Sequence, residues 1–240
     1  MSTYFKFQPG YKDRLLFVHI PKCGGISLRQ SLFDIFEEDR VLRVYNSKIS
    51  SDISLQRFSE LSVDEILGYS CISGHLSYQN AKEKLGDNIE KFFVCALVRE
   101  PVERIISYWN YVNTNSKHPL HQKALQMSFQ EFVEKTPINN EQCKFISGRA
   151  DAEYTLNTVS QNYDLVLPLK QYDQFLKIIS NVFQHDYQKY EAQNKSKKFM
   201  VKKNVEENII SLIESINHED KVFYEQLIRN MDLTILEEKQ

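Results

Sequence analysis

Arg14–Leu28 reads RLLFVHIPKCGGISL. An apolar, β-rich run, Leu15–Ile20, ends at Pro21. Lys22, Cys23 and the pair Gly24–Gly25 follow, and a helical segment begins at Ile26–Ser27. The order is strand, tight turn, helix, with a cation and bare backbone amides at the turn. Glycines let an anion approach those amides closely. The unpaired N–H groups and positive dipole end of the next helix face the same anion. Ser27 adds a hydroxyl and Lys22 a full charge. Such a turn suits a phosphate and points to a nucleotide as cofactor or substrate. It is not the ATP loop GxxxxGK[ST], because the lysine precedes the glycines, and GxGxxG is missing too. Taken alone, Pro-Lys-Cys-Gly-Gly reads better as an ordinary βα turn with a surface lysine; Ser27 after the glycine pair and the apolar strand before it tilt the reading towards an anion site.

A second segment, Lys91–Val112, reads KFFVCALVREPVERIISYWNYV. Phe92–Val98 is a continuous apolar run of the kind found in strands covered on both faces. Arg99 stands at its end, and Pro101 opens a helix in a favoured early position. By spacing, Arg99, Glu103 or Arg104, and Ser107 share about one helical face. An arginine at a strand's carboxyl end with a serine two turns into the next helix makes a second anion clamp. Ligands of open α/β sheets bind beyond the carboxyl ends of the strands, so both clamps are expected on one edge. An Arg99–Glu103 surface ion pair of little energetic worth is the even alternative.

Together the two segments resemble the carbohydrate-type sulfotransferases, the family that includes heparan sulfate 2-O-sulfotransferase. His19-Ile20-Pro21-Lys22-Cys23-Gly24-Gly25-Ile26-Ser27 is similar to the family's HIPKTGGTS signature. Arg99-Glu100-Pro101-Val102-Glu103-Arg104-Ile105-Ile106-Ser107-Tyr108 is similar to RDPVERxxSxY. The resemblance implies a donor, 3′-phosphoadenosine 5′-phosphosulfate (PAPS), with 3′-phosphoadenosine 5′-phosphate (PAP) as product and no metal. Lys22, Cys23, Gly24, Gly25, Ile26 and Ser27 would hold the 5′-phosphosulfate, and Arg99 and Ser107 the 3′-phosphate. The departures are Cys23 and Ile26 where threonines are usual, and Glu100 for Asp. Ile26 removes a hydroxyl but keeps its N–H.

Gly68–Tyr78 (GYSCISGHLSY) extends the resemblance. Related members carry a Gly-His at the place of Gly74-His75, with the histidine as general base. The chemistry agrees, because attack by a hydroxyl needs a group to take its proton, and histidine titrates near working pH. Lys22 can stabilise or protonate the leaving phosphate oxygen. The plainer role for His75 is to cap the helix expected over Leu76–Leu85. Among the other histidines, His19 reads as a hydrogen-bonded core residue. His118 and His121 could touch substrate from a polar loop, but solvent exposure is the default. His185 and His218 read as surface. No His/Cys/Asp/Glu cluster has metal-ligand spacing.

At 240 residues, with 42% hydrophobic and 26% charged residues, the chain fits one α/β domain spanning 1–240. A net charge of −2 gives no general attraction to nucleic acid or anionic membranes. The four cysteines, Cys23, Cys71, Cys95 and Cys143, lack a CxxC and read as free thiols of a reducing compartment. Cys23, in an electropositive setting, is a candidate for oxidation. No signal peptide or spanning segment is legible, and a cytoplasmic, bacterial member is expected.

Further helices are expected at Ile26–Phe36, Val102–Asn113, Phe129–Glu134, Gln171–Phe183, Asn204–Ile216 and His218–Arg229, and a strand at Tyr163–Leu169. Val41–Glu60 reads as irregular, with a strand and a short helix. In Asn139–Gly148, similar to a family helix near the acceptor, Asn140 and Gln142 are weak substrate contacts; a helix N-cap at Asn139 or Asn140 explains the pattern as well. Asn194–Lys203 concentrates lysines; the resemblance implies a late basic loop closing over the donor, attraction of an anionic glycan is an alternative, and a solvated linker is the plainer reading for most of them.

The expected architecture is a three-layer P-loop NTPase-like domain, its central sheet mostly parallel and flanked by helices. The expected reaction is in-line sulfuryl transfer to a hydroxyl, on a carbohydrate or glycoconjugate acceptor, with His75 as base. A nucleotide-dependent kinase and a non-catalytic nucleotide-binding scaffold are the alternatives. The acceptor could be met by Tyr45–Ser59, Tyr78–Gln79, Asn113–His121 or the lysine-rich segment.

Overall fold

Six strands form one sheet among the described residues, and every neighbouring pair runs parallel. The structure is a computed structural model that describes residues 12–45, 52–186 and 200–237, without the side chains of Ile26, Ser27 and residues 232–237. The strands are β1 (Arg14–Val18), β2 (Val41–Val44), β3 (Asp52–Ile53), β4 (Cys71–Gly74), β5 (Phe92–Val98) and β6 (Leu165–Pro168). Their order across the sheet is β3-β2-β4-β1-β5-β6.

The helices are α1 (Gly25–Phe36), α2 (Leu55–Glu60), α3 (Val63–Leu67), α4 (Tyr78–Leu85), α5 (Pro101–Thr114) and α6 (His121–Ala124). The later ones are α7 (Phe129–Lys135), α8 (Glu141–Ser147), α9 (Ala152–Asn162), α10 (Tyr172–Val182), α11 (Glu207–Ile216) and α12 (His218–Glu237).

All seven residues of β5 are buried, as expected of a strand covered on both faces. The main core is built on the strands together with α1, α4, α8, α9, α10 and α12. A second cluster, with Trp109, Phe132 and Ile213 among its members, packs α5 against α7 and α11. Local chemistry sets the helix starts. Ser77 caps α4 by accepting from the Asn80 N–H at 3.2 Å, and Pro101 opens α5 behind an N-cap at Glu100.

The topology fixes where a ligand belongs. From β1 the chain winds through α1 to β2, on the far side of β4, whereas β5 lies on the opposite side of β1. The winding reverses at β1, and such a reversal opens a crevice at the carboxyl ends of the strands. In register, Val18 pairs with Gly74 on one side and Ala96 on the other. His19, His75 and Arg99 therefore leave the ends of neighbouring strands on one edge. The parallel sheet and helical cover agree with the expected fold class. The helix α9 was not anticipated, and neither were α3 and α6. Among the described residues, no helix is long and apolar enough to cross a membrane.

Candidate active site

The turn after β1 is closed by the Cys23 N–H donating to the Ile20 carbonyl at 3.1 Å. Lys22 takes a positive φ of 71° without being glycine, a conformation that costs energy for a side chain with a Cβ. Gly24, at φ 88°, is the N-cap of α1 and offers no capping side chain. The first-turn N–H groups of α1 are thus left to a ligand. Gly25 is required by a close approach: a Cβ there would lie 1.8 Å from His19 Nε2. The side chains of Ile26 and Ser27 lie outside the described residues, so only their helical backbone is placed here.

Lys22 Nζ rests 3.9 Å from the centre of the Tyr111 ring, a cation–π contact from α5. Burial first, and then the charge of Arg99, push its pKa down to about 8. Arg99 donates from Nη1 to the Lys22 carbonyl at 3.4 Å, joining the two anion clamps. Its Nε stands 3.6 Å from Glu103, so the expected ion pair is present but longer than a hydrogen bond. A lysine depressed by a neighbouring guanidinium, beside uncapped amides, favours an anion at this place.

Ser107 is half-buried two turns along α5, on the face of Arg99 and Glu103. Arg104 is not on that face. It is fully buried and donates to Glu141 at 2.6 Å and to the Ile138 carbonyl at 2.9 Å. Glu100, in place of the usual Asp, keeps a capping role by accepting from the Glu103 N–H at 2.8 Å. Lys202, from the described end of the lysine-rich segment, lies 3.4 Å from Glu100. Residues 194–199 of that segment, and 46–51 of the Tyr45–Ser59 candidate, lie outside the described residues.

His75 follows β4 and meets three aromatic rings. The centroid of His19 lies at 4.8 Å, of Tyr45 at 5.0 Å and of Phe145 at 6.5 Å. Its outer edge is exposed while these rings wall its inner face. Desolvation and then the Lys22 charge push its pKa down to about 4, against an upward pull from Asp52. At neutral pH the ring is therefore uncharged and able to take a proton. It does not cap α4, because Ser77 does. His19 is buried, as expected, and its Nδ1 lies 2.9 Å from the Tyr45 hydroxyl, which in turn lies 3.2 Å from Ser73 Oγ. Burial, His75 and Lys22 hold His19 well below its ordinary pKa.

Two expectations change. Cys23 faces inward, fully buried, with Sγ 3.6 Å from Gln142 Oε1, and burial raises its pKa to about 12. An inert, protonated thiol replaces the oxidation-sensitive one. Its side chain points beneath the loop, so the Thr-to-Cys departure removes nothing from the anion side. Gln142 is no substrate contact either. Fully buried, it brackets the Arg99 backbone, accepting from its N–H and donating to its carbonyl, each at 2.8 Å. Asn140 lends its side chain to the Asp220 N–H at the start of α12, at 3.1 Å.

Sequence reasoning missed the Lys22–Tyr111 contact. Tyr111 continues the helical series Arg99, Glu103, Ser107 by one more turn, and that spacing was the available signal. It also left His118 to solvent. His118 is half-buried, 5.7 Å from the Tyr108 ring and 5.5 Å from Tyr111, with a pKa lowered by burial and then by Lys22.

The family model described as "Sulfotransferase family" matches residues 5–225. The chain belongs to the sulfotransferase family. No curated protein matches this sulfotransferase by sequence at significance. Among solved structures, it is similar to the mouse sulfotransferase SULT7A1 complexed with PAP, at 16% identity and TM-score 0.45. That match covers 75% of this chain and 62% of the mouse chain. It is also similar to a sulfotransferase from Alicyclobacillus acidocaldarius, at 12% identity and TM-score 0.49, covering 93% of this chain and 97% of the other.

Proposed function

We propose that this sulfotransferase, as one domain over residues 1–240, moves a sulfuryl group from PAPS to a hydroxyl of a carbohydrate or glycoconjugate. The observation that carries the reading is the edge where β1 and β5 end. Lys22 and Arg99 meet there beside the uncapped amides of α1. Lys22, Gly24, Gly25 and the backbone of Cys23, Ile26 and Ser27 take the 5′-phosphosulfate. Arg99 and Ser107 take the 3′-phosphate, as the family resemblance assigns. His75 accepts the acceptor's proton as its oxygen attacks sulfur in line, and Lys22 stabilises the charge left on the departing phosphate oxygen. The mouse relative's complex with PAP supports the choice of donor only by analogy. Four buried cysteines without a disulfide favour a reducing compartment, the cytoplasm in our reading.

Thermal unfolding with PAP, with ATP and without ligand tests the donor. PAP at about 100 times its Kd should add about 2.7 kcal/mol of stability. Stabilisation by ATP and none by PAP would return the site to the kinase alternative. For the base, His75→Ala should lower kcat by about 10²- to 10⁴-fold. An unchanged kcat would favour a scaffold or another base.

A further inference from the structure

His19 follows β1, packs on the turn that opens α1, and leaves one ring nitrogen unused. Its Nδ1 lies 2.9 Å from the Tyr45 hydroxyl, which lies 3.2 Å from Ser73 Oγ. Its Nε2 has no hydrogen-bond partner among the described residues, although His19 is only 6% exposed. A buried polar atom without a partner is costly and calls for an explanation. We propose that His19 binds the donor: its Nε2–H donates to an oxygen of the 5′-phosphosulfate, and Tyr45 is the positioning residue that fixes the tautomer. The proposal rests on the PAPS reading above and deepens it.

Three observations carry it. The first is place. A Cβ on Gly25 would lie 1.8 Å from Nε2, 2.1 Å from Cε1 and 2.3 Å from Cδ2. An atom on the N–H axis would stand much farther from the two carbons than from the nitrogen, so Gly25 lies over the face of the ring. The in-plane direction of the N–H is not blocked by it. Nε2 thus stands where a side chain of the first helical turn would reach an anion. The second observation is need. Gly25 and Ile26 bring no hydroxyl to that turn, and a histidine N–H supplies a donor in its place. The third is the hydrogen-bond chain. Burial, and then the charges of His75 and Lys22, keep the ring neutral, so it carries one N–H. Burial pushes the Tyr45 hydroxyl up to about 12, so it keeps its proton. When Ser73 donates to Tyr45 and Tyr45 to Nδ1, the ring proton is on Nε2. A bound anion selects this direction, because the reverse turns a lone pair towards it.

The test compares two ligands by calorimetry, PAP and adenosine 3′-monophosphate. They share the base and the 3′-phosphate, so the ratio of their Kd values isolates the 5′-phosphate. The proteins are the wild type, His19→Phe, His19→Gln and Tyr45→Phe. His19→Phe keeps a ring against Phe17, which stacks on it at 5.6 Å, and removes the N–H. It should weaken PAP by about tenfold and leave adenosine 3′-monophosphate unchanged. His19→Gln, whose amide N–H reaches the place of Nε2, should recover part of the loss. Tyr45→Phe removes a single oxygen and should shift the ratio in the same direction; it keeps the test open if His19→Phe does not fold. An unchanged ratio in the folded variants overturns the proposal, as does equal weakening of both ligands, which marks a structural role. A wild type that binds no PAP removes the donor reading and the proposal with it; PAP binding with an unchanged ratio removes the proposal alone.

Discussion

Lys22 brings three costs together: a positive φ, burial, and a neighbouring guanidinium. The burial and the guanidinium are offset when an anion arrives, because an opposite charge favours the protonated amine. The sign of the pH dependence follows. In the free enzyme Lys22 loses its proton near pH 8 instead of near 10.5. Only the protonated form stabilises the leaving phosphate, so kcat/KM, which reports the free enzyme, should fall above about pH 8, tenfold per pH unit. The donor's negative charge lifts the pKa again, so the limb of kcat should lie at higher pH. A Lys22→Arg variant, whose side chain stays charged, should lose the basic limb of kcat/KM altogether. Initial rates across pH at low and saturating donor measure both. A basic limb that persists in Lys22→Arg would assign it to another group.

At the scale of elements, the site is held by helices that begin beside it and cap one another. The Asp220 carboxylate, at the start of α12, accepts from the N–H groups of Gln142 at 3.1 Å and Cys143 at 2.9 Å, the first turn of α8. Asn140, before α8, accepts in return from Asp220. The α8 turn so fixed carries Gln142, which grips the Arg99 backbone. Gln142→Ala would leave a buried N–H and a carbonyl without their partner, a loss of about 1–3 kcal/mol for each group so stranded. We expect a lower urea midpoint and, because Arg99 loses its anchor, weaker PAP binding. A lower midpoint with unaltered PAP affinity would confine Gln142 to stability. This element also shows what the sequence could convey. The strands β1 and β5 were legible because continuous apolar runs and a following turn are local signals. Lys22, Gly24, Gly25, Arg99 and Ser107 came with them, being attached to those turns. Gln142 acts on a backbone from a different part of the chain, and no local pattern announces such a pairing. The helix α9 was missed because its buried face includes Thr155 and Thr158, so its apolar stripe is thin.

For the molecule as a whole, the crowding of rings at the edge of the sheet predicts how the fold fails in acid. His19 is buried and neutral, and His75 has a pKa of about 4, while both return to about 6.5 in the unfolded chain. As pH falls below 6.5, the unfolded chain therefore binds protons that the folded chain refuses. Stability rises with pH wherever the unfolded state holds more protons. The histidines' share of it should be full above about pH 6.5 and decline through the window down to about pH 4, by at most about 1.4 kcal/mol per pH unit per histidine, while the depressed Lys22 acts above about pH 8 with the same sign. Other groups act elsewhere. Glu65 and Glu131 have lowered pKa values from their capping hydrogen bonds, Glu131 with the Lys135 side-chain bond as its largest cause, and their loss falls below 4.5. Asp220 has the opposite sign, since burial raises its pKa above 3.8. Urea unfolding from about pH 7 to about pH 5, below the Lys22 titration, reads the histidines. His75→Asn, which removes the titrating group at the exposed rim, should flatten the slope in part and leave the shares of His19 and of His118, whose pKa is also lowered. A stability that stays level across that range would mean that the His19–Tyr45–His75 cluster opens to water and protonates without unfolding.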